Sequence, residues 1–268
     1  MPAWPTPVSD RISFLYLEKT HLARDGHAVI ATVDDGVTAI PIGRTSVVML
    51  GPGCSVTHAA VDLCAREGAF LLWVGERGVR LYATSNPRAD GDALLRQAAI
   101  RLDARKRLAA ARAIWRRMFG EDMPAGRGID QMRGLEGYRV REMLPRIARE
   151  CGVEWRSRDG ASKDPLNQAL NVANSTLYGV CEAAVLALGY SPAIGMIHAG
   201  DPRSFVFDVA DTLKFRTVVP LAMRVVAESA ADVDGRVRRA CRDLFFEARI
   251  AEQMVTIIDE VFDAADRA

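Results

Sequence analysis

The sequence predicts an α+β protein in which a small N-terminal β-domain precedes a larger, all-helical C-terminal domain. Short runs rich in β-branched and aromatic residues, separated by turn signals, fill the first third of the chain, as is typical of strands. Beyond residue 92, Ala, Leu, Arg and Met recur at helical spacing almost to the end. Between these regions, Ser85–Asp92 combines Pro, Gly and Asp and is typical of a linker. We therefore expect domains at 1–85 and 86–268.

The N-terminal domain is predicted from apolar runs that surround one amphipathic helix. Asp34–Gly36 is a turn signal between two of the runs, and Gly51–Gly53 interrupts the chain again. The stretch 55–68 carries apolar residues at helical spacing and ends at Gly68, a common C-terminal stop. The predicted strands lie in ISFLYLEKTHLA, HAVIATV, VTAIPI, TSVVML and AFLLWVGERGVRLYA, the last of which contains a turn.

The C-terminal domain is predicted to consist of helices joined by short polar loops. The loops are GEDMPAGRG, SRDGASKDP and GDP, in which Gly, Pro and Asp interrupt the helical spacing. Apolar residues at intervals of three and four indicate amphipathic helices between them. The helices are expected near 92–119, 128–150, 166–188, 203–215, 217–229 and 234–265.

The composition limits the possible functions. Lys and Arg number 35 and Asp and Glu 34, so the net charge of +1 gives no overall attraction for nucleic acid, and a polyanion site needs local clusters of charge. The five cysteines form no C-x-x-C pair, which favours reduced thiols in the cytoplasm over disulfides or structural zinc. No apolar run approaches the roughly 18 residues of a membrane span, so we expect a cytoplasmic protein without a membrane partner.

The first candidate site lies in GMIHAGDPRSFVFDVADTLKF, residues 195–215. Asp201-Pro202 is typical of a helix start, with Asp201 as the cap and Pro202 in the first turn. The following helix is apolar on nearly all sides, which indicates burial. Asp208 and Asp211 project from the same side of this helix, where desolvation and mutual repulsion penalise two carboxylates. A bound cation would offset both costs. Salt-bridged or capping aspartates are the alternative, and His198 alone is more typical of a hydrogen-bonded core histidine than of a ligand.

A second candidate is Glu136, which precedes the apolar face of the helix predicted at 128–150 by one turn. Gly134 and Gly137 flank it, and each glycine within a helix costs about 1 kcal/mol relative to alanine. The pair indicates that another helix or a ligand approaches the backbone closely. The alternative is a helix that begins near Glu136, where a carboxylate favours the N-terminal dipole.

Two further patterns concern hydrogen bonding and positive charge. A polar stripe on the helix predicted at 166–188 is suited either to a seam between helices or to a phosphate backbone; its members are Asn167, Asn171, Asn174, Tyr178 and Glu182. Basic residues cluster on two helices, which is typical of solvated faces but also permits a phosphate-binding surface. They are Arg96, Arg101, Arg105, Lys106, Arg107, Arg112, Arg116 and Arg117, then Arg236, Arg238, Arg239 and Arg242.

Taken together, the candidates predict one site made of Glu136, His198, Asp208 and Asp211. Carboxylate oxygens with a single imidazole suit Mg²⁺ or Mn²⁺. Beside arginine-rich helices, such a cation favours metal-assisted phosphoryl transfer on a nucleic acid. The residues alone leave two alternatives open, a helical metallohydrolase acting on small phosphoesters and a DNA-binding scaffold with a structural acidic cluster.

Long segments also resemble the CRISPR-associated integrases of spacer acquisition, subtype I-E. They are MRGLEG, LYGVCEAAVLALGYSPAIGMIHAGDPRSFVFDVADTLKFRTVVP, VRRACRDLF and PGCSVTHAAVDLCAREGAFLLWVGERGVRLYA. The resemblance covers essentially the whole chain, in order. It implies a dimerising N-terminal β-domain and a helical domain that holds the metal. It also implies an enzyme that inserts short foreign DNA into the CRISPR array, using the 3′-hydroxyl of that DNA to attack a repeat-end phosphodiester.

The resemblance further implies roles for individual residues and partners. The metal ligands correspond to Glu136, His198 and Asp211, with Asp208 as a supporting catalytic carboxylate. Arg80, Arg238 and Arg242 match positions of DNA contacts. The implied partners are double-stranded DNA, a second copy of the chain, and a small dimeric CRISPR adaptation protein that bridges two integrase dimers.

The chain departs from its relatives at three places that bear on DNA handling. A lysine follows H-x-G in close relatives, whereas this chain has Asp201, and Arg203 is expected to replace the lost charge in binding DNA. The tyrosine that stacks on the duplex end in relatives falls near Lys19. The loop 155–165 is shorter and lacks the aromatic residues of the relatives.

Overall fold

In the computed structural model, residues 12–33, 36–76, 81–85, 91–162 and 164–268 are described. Strands occupy the N-terminal third, and every regular element described from residue 91 onward is a helix, which confirms the predicted fold class. The turn residues Asp34 and Asp35, the candidate DNA contact Arg80 and the linker residues 86–90 lie outside the described residues. The domain boundary between residues 85 and 86 therefore stays a prediction.

The described strands form two four-stranded sheets, close to the runs predicted from the sequence. Their bounds are β1 Ile12–Leu17, β2 His21–Asp25, β3 Ala28–Val33, β4 Gly36–Ile40, β5 Thr45–Leu50, β6 Ser55–Val56, β7 Phe70–Val74 and β8 Leu81–Thr84. One sheet has the order β1-β5-β7-β8 and the other the order β4-β3-β2-β6. In the first sheet, β5 pairs in parallel with both β1 and β7, while β8 is antiparallel to β7.

The first sheet is covered on both faces, which explains its continuous apolar strands. All six residues of β5 are buried, as expected for a parallel strand between two layers. One face contributes Val48 and Leu50 to a core shared with the second sheet and with helix α1, His58–Arg66. The other face packs Val47 and Met49 against the helical part of the chain. Helix α1 ends before Gly68, whose φ of 72° confirms the predicted stop.

The helical part consists of eight helices within the described residues. They are α2 Asp92–Leu102, α3 Ala104–Phe119, α4 Ile129–Glu150, α5 Pro165–Ala187, α6 Ser204–Lys214, α7 Val218–Glu228, α8 Val233–Glu247 and α9 Ile250–Asp266. The single helix predicted at 92–119 is wrong, because extended Asp103 separates two helices and accepts the amide hydrogens of Arg105 and Lys106 as the cap of α3. The helix predicted at 234–265 is also two helices, since Arg249 has a φ of 50°.

Helices α5 and α6 form the centre of the helical core. Leu170, Leu177 and Cys181 of α5 are no more than 1% exposed, and they belong to the same core as Phe205 and Val209 of α6. The prediction that the helix after Asp201-Pro202 is buried is therefore confirmed. No helix among the described residues combines the length and apolar character needed to cross a bilayer.

The loop between α5 and α6 contains His198, and a buried side-chain amide on α2, that of Gln97, fixes the first part of this loop. The Gln97 side chain is fully buried and donates to the carbonyl oxygens of Ser191 and Ile194, both at 2.9 Å. Its own oxygen accepts the amide hydrogen of Ser191 at 2.7 Å. All of its hydrogen bonds go to one loop, so Gln97 sets the path by which the chain reaches the start of α6.

The tight turn after this anchor requires glycine at position 195. A Cβ added to Gly195 would lie 2.5 Å from the His198 carbonyl oxygen and 2.9 Å from backbone and side-chain atoms of Ser204. We expect Gly195→Ala to lower the free energy of unfolding by about 1–3 kcal/mol, as overpacking does, in urea unfolding followed by circular dichroism. Gly91→Ala is the control, because a Cβ there has nothing within 4 Å among the described residues. Equal stability of the two variants would contradict the prediction.

Candidate metal centre

Asp208 is the most deeply buried carboxylate of the candidate site and organises the loop before α6. It is 1% exposed. Its Oδ2 accepts the amide hydrogens of Met196 at 2.5 Å and Ile197 at 3.1 Å. Its Oδ1 accepts the amide of His198 at 3.0 Å and lies 2.8 Å from His198 Nδ1. Because a carboxylate only accepts, Nδ1 carries the hydrogen in this pair, and Nε2 is left as the available donor atom for a cation.

Glu136, His198 and Asp211 come together from three separate segments. Each offers one ligand atom, and these atoms all lie within 4.8 Å of one another. Glu136 projects from α4, His198 from the loop before α6, and Asp211 from α6, one turn after Asp208. Asp208 is not part of this group, since both of its oxygens are used in the loop. The arrangement has the donor types that a divalent oxygen-preferring cation requires.

The three residues differ in how their charges are balanced. The Asp211 carboxylate, 6% exposed, pairs with the Lys214 ammonium at 2.5 Å. In the described part of the chain, Glu136 makes no hydrogen bond or ion pair. Burial and the neighbouring Asp211 raise the pKa of Glu136. Burial alone would lower the pKa of His198, but its hydrogen bond to Asp208 and the surrounding carboxylates outweigh burial and raise it.

The environment of Glu136 decides between the alternatives left open by the sequence. Helix α4 begins at Ile129, so the interpretation of Glu136 as a residue at a helix start is wrong. A Cβ on Gly134 or on Gly137 would meet nothing within 4 Å, so none of the other helices in the described part of the chain packs against these glycines. Approach of a ligand is the remaining explanation that the sequence offered for these glycines.

The start of α6 also differs from the sequence prediction. Arg203, rather than Asp201, is the residue that immediately precedes the helix. Asp201 lies in the preceding turn, where its Oδ1 accepts the Arg203 amide at 2.8 Å and its carbonyl oxygen accepts the Ser204 hydroxyl at 2.7 Å. The Arg203 guanidinium lies over the ring of Phe207, 5.2 Å from its centroid. The ring of Phe207 packs edge-on against the His198 ring, with 5.8 Å between the ring centroids, so Arg203 lies close to the site.

The polar stripe of α5 divides into two parts. Asn167 and Asn171 accept hydrogen bonds from Arg158 at 2.9 and 2.6 Å. Arg158 lies in the loop between α4 and α5, so this end of the stripe fixes a loop and is neither a seam between helices nor free for a phosphate. Asn174 Oδ1 is buried without a partner among the described residues. Tyr178 packs edge-on against Phe207 at 5.0 Å and hydrogen-bonds Lys214, which joins this end of the stripe to the candidate site.

Most of the clustered basic residues already have acidic partners. On α2 and α3, Arg96 pairs with Asp263 at 2.8 Å, and Arg117 pairs with Glu260, which ties these helices to α9. On α8, Arg238 lies 3.7 Å from Asp234, and Arg242 lies 2.6 Å from Asp243. These pairs do not bring Arg238 or Arg242 into the group around Glu136.

Sequence reasoning missed Lys214 as a residue of the site. Its side chain is 16% exposed and contacts both Asp211 and Tyr178. Burial would lower the pKa of Lys214, but Asp211 and the other neighbours outweigh burial and raise it. The available signal was its spacing of three residues from Asp211, which places the two side chains on adjacent turns of one helix face.

Comparisons with known proteins give one consistent result. A family model described as CRISPR associated protein Cas1 matches residues 14–121 and 119–240. The CRISPR-associated endonuclease Cas1 of Geobacter sulfurreducens is 44% identical over 98% of this chain and 88% of its own length. The CRISPR-associated endonuclease Cas1 of Escherichia coli is 42% identical over 99% of this chain and 90% of its own length. Among solved structures, a TtCas1–DNA complex matches with a TM-score of 0.86 and 37% identity, covering 96% of this chain and 98% of the other.

The charge balance predicts opposite stability effects for two conservative substitutions. The pKa of Glu136 is higher in the folded protein than in the unfolded chain, so ionised Glu136 destabilises the fold at neutral pH. We expect Glu136→Gln, in EDTA, to unfold at a temperature equal to that of the parent protein or higher by about 2–4 °C. Asp208→Asn should unfold at a clearly lower temperature. The asparagine side chain has one NH₂ group, a donor, in place of a carboxylate oxygen that accepts backbone amide hydrogens in the parent protein.

Differential scanning calorimetry at pH 7 measures both effects. Glu150→Gln, an exposed acid at the end of the same helix as Glu136, is the control and should leave the unfolding temperature unchanged. A lower unfolding temperature for Glu136→Gln than for Asp208→Asn would contradict the charge balance described above.

Proposed function

The chain belongs to the Cas1 family of CRISPR-associated proteins and is a DNA endonuclease and integrase, and we propose that Glu136, His198 and Asp211 hold its catalytic divalent cation. The observation that carries this proposal is the convergence of their ligand atoms within 4.8 Å, with the Glu136 carboxylate unpartnered among the described residues. Asp208 is proposed to act through His198 rather than on the cation.

We propose that the reaction inserts short foreign DNA into a CRISPR array through attack of its 3′-hydroxyl on a repeat-end phosphodiester. A bound divalent cation supplies Lewis-acid stabilisation of charge on a phosphate during such a transfer. Asp208 holds the His198 ring by the Nδ1 hydrogen bond, which leaves Nε2 directed away from that carboxylate. Glu136 and Asp211 supply oxygen donors, which favours Mg²⁺ or Mn²⁺.

For the DNA, we propose that Arg203 contacts a phosphate close to the metal centre. Its guanidinium is held over Phe207, beside His198. Asp201 lies 3.9 Å from it, so this chain has a balanced pair near the position where close relatives carry a lysine. Arg238 and Arg242, together with Arg80, are proposed as more distant phosphate contacts, for which the family resemblance is the support.

The assembly is proposed to contain a dimer of this chain and a small dimeric adaptation protein that bridges two such dimers. Outer strands of the N-terminal sheets expose apolar side chains that support an interface there. Val37 of β4 is 63% exposed, and Tyr82 of β8 is 68% exposed. The cytoplasmic location expected from the reduced cysteines also stays a prediction.

The proposed metal ligands are tested by strand transfer of a short duplex into a supercoiled plasmid with a CRISPR array, in the presence of the partner protein. We expect activity with Mn²⁺ or Mg²⁺, none in EDTA, and a loss of at least about 100-fold in Glu136→Ala, His198→Ala and Asp211→Ala. Glu247→Ala, an exposed acid on α8, is the control and should retain activity. Robust integration by folded Asp211→Ala would refute the ligand assignment.

The two arginines of α8 are tested through the salt dependence of DNA binding. We expect Arg238→Ala combined with Arg242→Ala to weaken binding across sequences and to reduce the slope of log affinity against log salt by about 2, because two phosphate contacts are removed. Arg24→Ala with Arg66→Ala is the matched control, since both residues lie near Asp62 in the N-terminal region. Fluorescence anisotropy with a labelled duplex gives the slopes. An unchanged slope would remove the α8 pair from the DNA surface.

A further inference from the structure

Lys214 is a partly buried ammonium group in direct contact with a proposed metal ligand. Its Nζ lies 2.5 Å from Asp211 Oδ1, and its side chain is 16% exposed. It also hydrogen-bonds Tyr178 and lies over the ring of Phe215, 4.9 Å from the centroid. The ammonium is therefore held on several sides within the cluster and is not a solvated surface charge that happens to touch Asp211.

The ionisable side chains of the candidate site and Lys214 together leave an excess of negative charge. Glu136, Asp208 and Asp211 contribute three negative charges if all are ionised, and Lys214 contributes one positive charge. A histidine that ligates a cation is neutral, so in the cation-bound state the excess is two negative charges, which one divalent cation neutralises. Arg107 interacts electrostatically with both Asp208 and Asp130 and makes no ion pair with either among the described residues.

The hydrogen bonds limit the oxygens that remain for coordination. Both oxygens of Asp208 accept hydrogen bonds from the loop before α6, and Asp211 Oδ1 is occupied by Lys214. The donor atoms left in the group are Asp211 Oδ2, the two Glu136 oxygens and His198 Nε2. Centres with two metal ions commonly share a bridging carboxylate between ions about 3.5–4 Å apart. Asp211 cannot bridge in this way while Lys214 holds Oδ1.

We propose that Lys214 is the internal counter-ion of the metal centre, and that its ammonium both orients Asp211 and restricts the site to one divalent cation. The inference rests on the proposed function, because it takes Glu136, His198 and Asp211 as the ligands. It assigns Lys214 a positioning role, exerted through Asp211. Lys214 holds the Asp211 carboxylate in place when no cation is bound. It also lowers the affinity for the cation, because in the bound state the ammonium and the cation share one carboxylate.

The test is Mn²⁺ binding to the full chain, measured by isothermal titration calorimetry and electron paramagnetic resonance. The wild-type protein should bind one Mn²⁺ per chain. We expect Lys214→Met to bind the first Mn²⁺ at least about tenfold more tightly, because a nearby positive charge is removed, and to bind a second, weaker ion. In EDTA, Lys214→Met should unfold at a lower temperature than the wild type. Adding Mn²⁺ should raise the unfolding temperature of Lys214→Met by more than it raises that of the wild type. Strand transfer should fall even though the cation binds more tightly.

Two controls separate charge from shape. Lys214→Arg keeps the positive charge and should bind Mn²⁺ with nearly wild-type affinity and stoichiometry. Lys106→Met removes a lysine that pairs with Asp266 at 3.4 Å, outside the cluster, and should leave Mn²⁺ binding unchanged. If Lys214→Met does not fold without a cation, Lys214→Gln gives the same comparison, since its amide can still donate to Asp211 but carries no charge.

The outcomes distinguish this inference from the proposed function. Unchanged Mn²⁺ affinity in a folded Lys214 variant, with or without weaker DNA binding, would overturn the counter-ion role and leave the ligand assignment intact. Weaker Mn²⁺ binding in Lys214→Met would also overturn it. If the wild-type protein bound no Mn²⁺, the proposed function itself would fail, whatever the variants did.

Discussion

The structure of the candidate site depends on one buried carboxylate, that of Asp208. Ionised and 1% exposed, it would carry a large desolvation cost without partners. Three consecutive backbone amides and the His198 ring donate to it, and such charge-assisted bonds are stronger than neutral ones. Since the donors belong to the loop and the acceptor to α6, the same bonds that stabilise the charge also fix the loop. The position of His198 is therefore a consequence of satisfying Asp208.

Around this anchor, the site concentrates negative charge that the fold compensates only in part. Lys214 balances Asp211, but Glu136 has no partner in the described residues, and both burial and Asp211 raise its pKa. Unbalanced charge of this kind lowers the stability of a fold and is typical of positions selected for function. The apolar surroundings on α5 and α6 strengthen every electrostatic interaction here, so the unbalanced charge at Glu136 favours the binding of a cation at the candidate site.

The sequence predicted the fold class, the order of strands before helices and the four residues of the candidate site, because these depend on local periodicity and on residue type. It placed Asp208 and Asp211 together on one helix face, but periodicity cannot say that one carboxylate turns to backbone amides and the other to Lys214. The breaks at Asp103 and Arg249 were missed because helical spacing continues across them, and only the backbone conformation reveals the interruption. The contact between Lys214 and Tyr178 joins α5 to α6, and no pattern within either helix specifies it.

The basic helices show why a count of positive residues is a poor guide to phosphate binding. Release of counterions depends on charge that is available to the phosphates, whereas Arg96 and Arg117 of the basic run on α2 and α3 are paired with Asp263, Asp266 and Glu260 of α9. By contrast, Arg133 lies three residues before Glu136 and makes no ion pair within the described ranges. An isolated arginine of this kind contributes its full charge to the local potential, while a paired arginine in a dense run contributes little. The near-zero net charge of the chain does not oppose a local positive potential beside the candidate site.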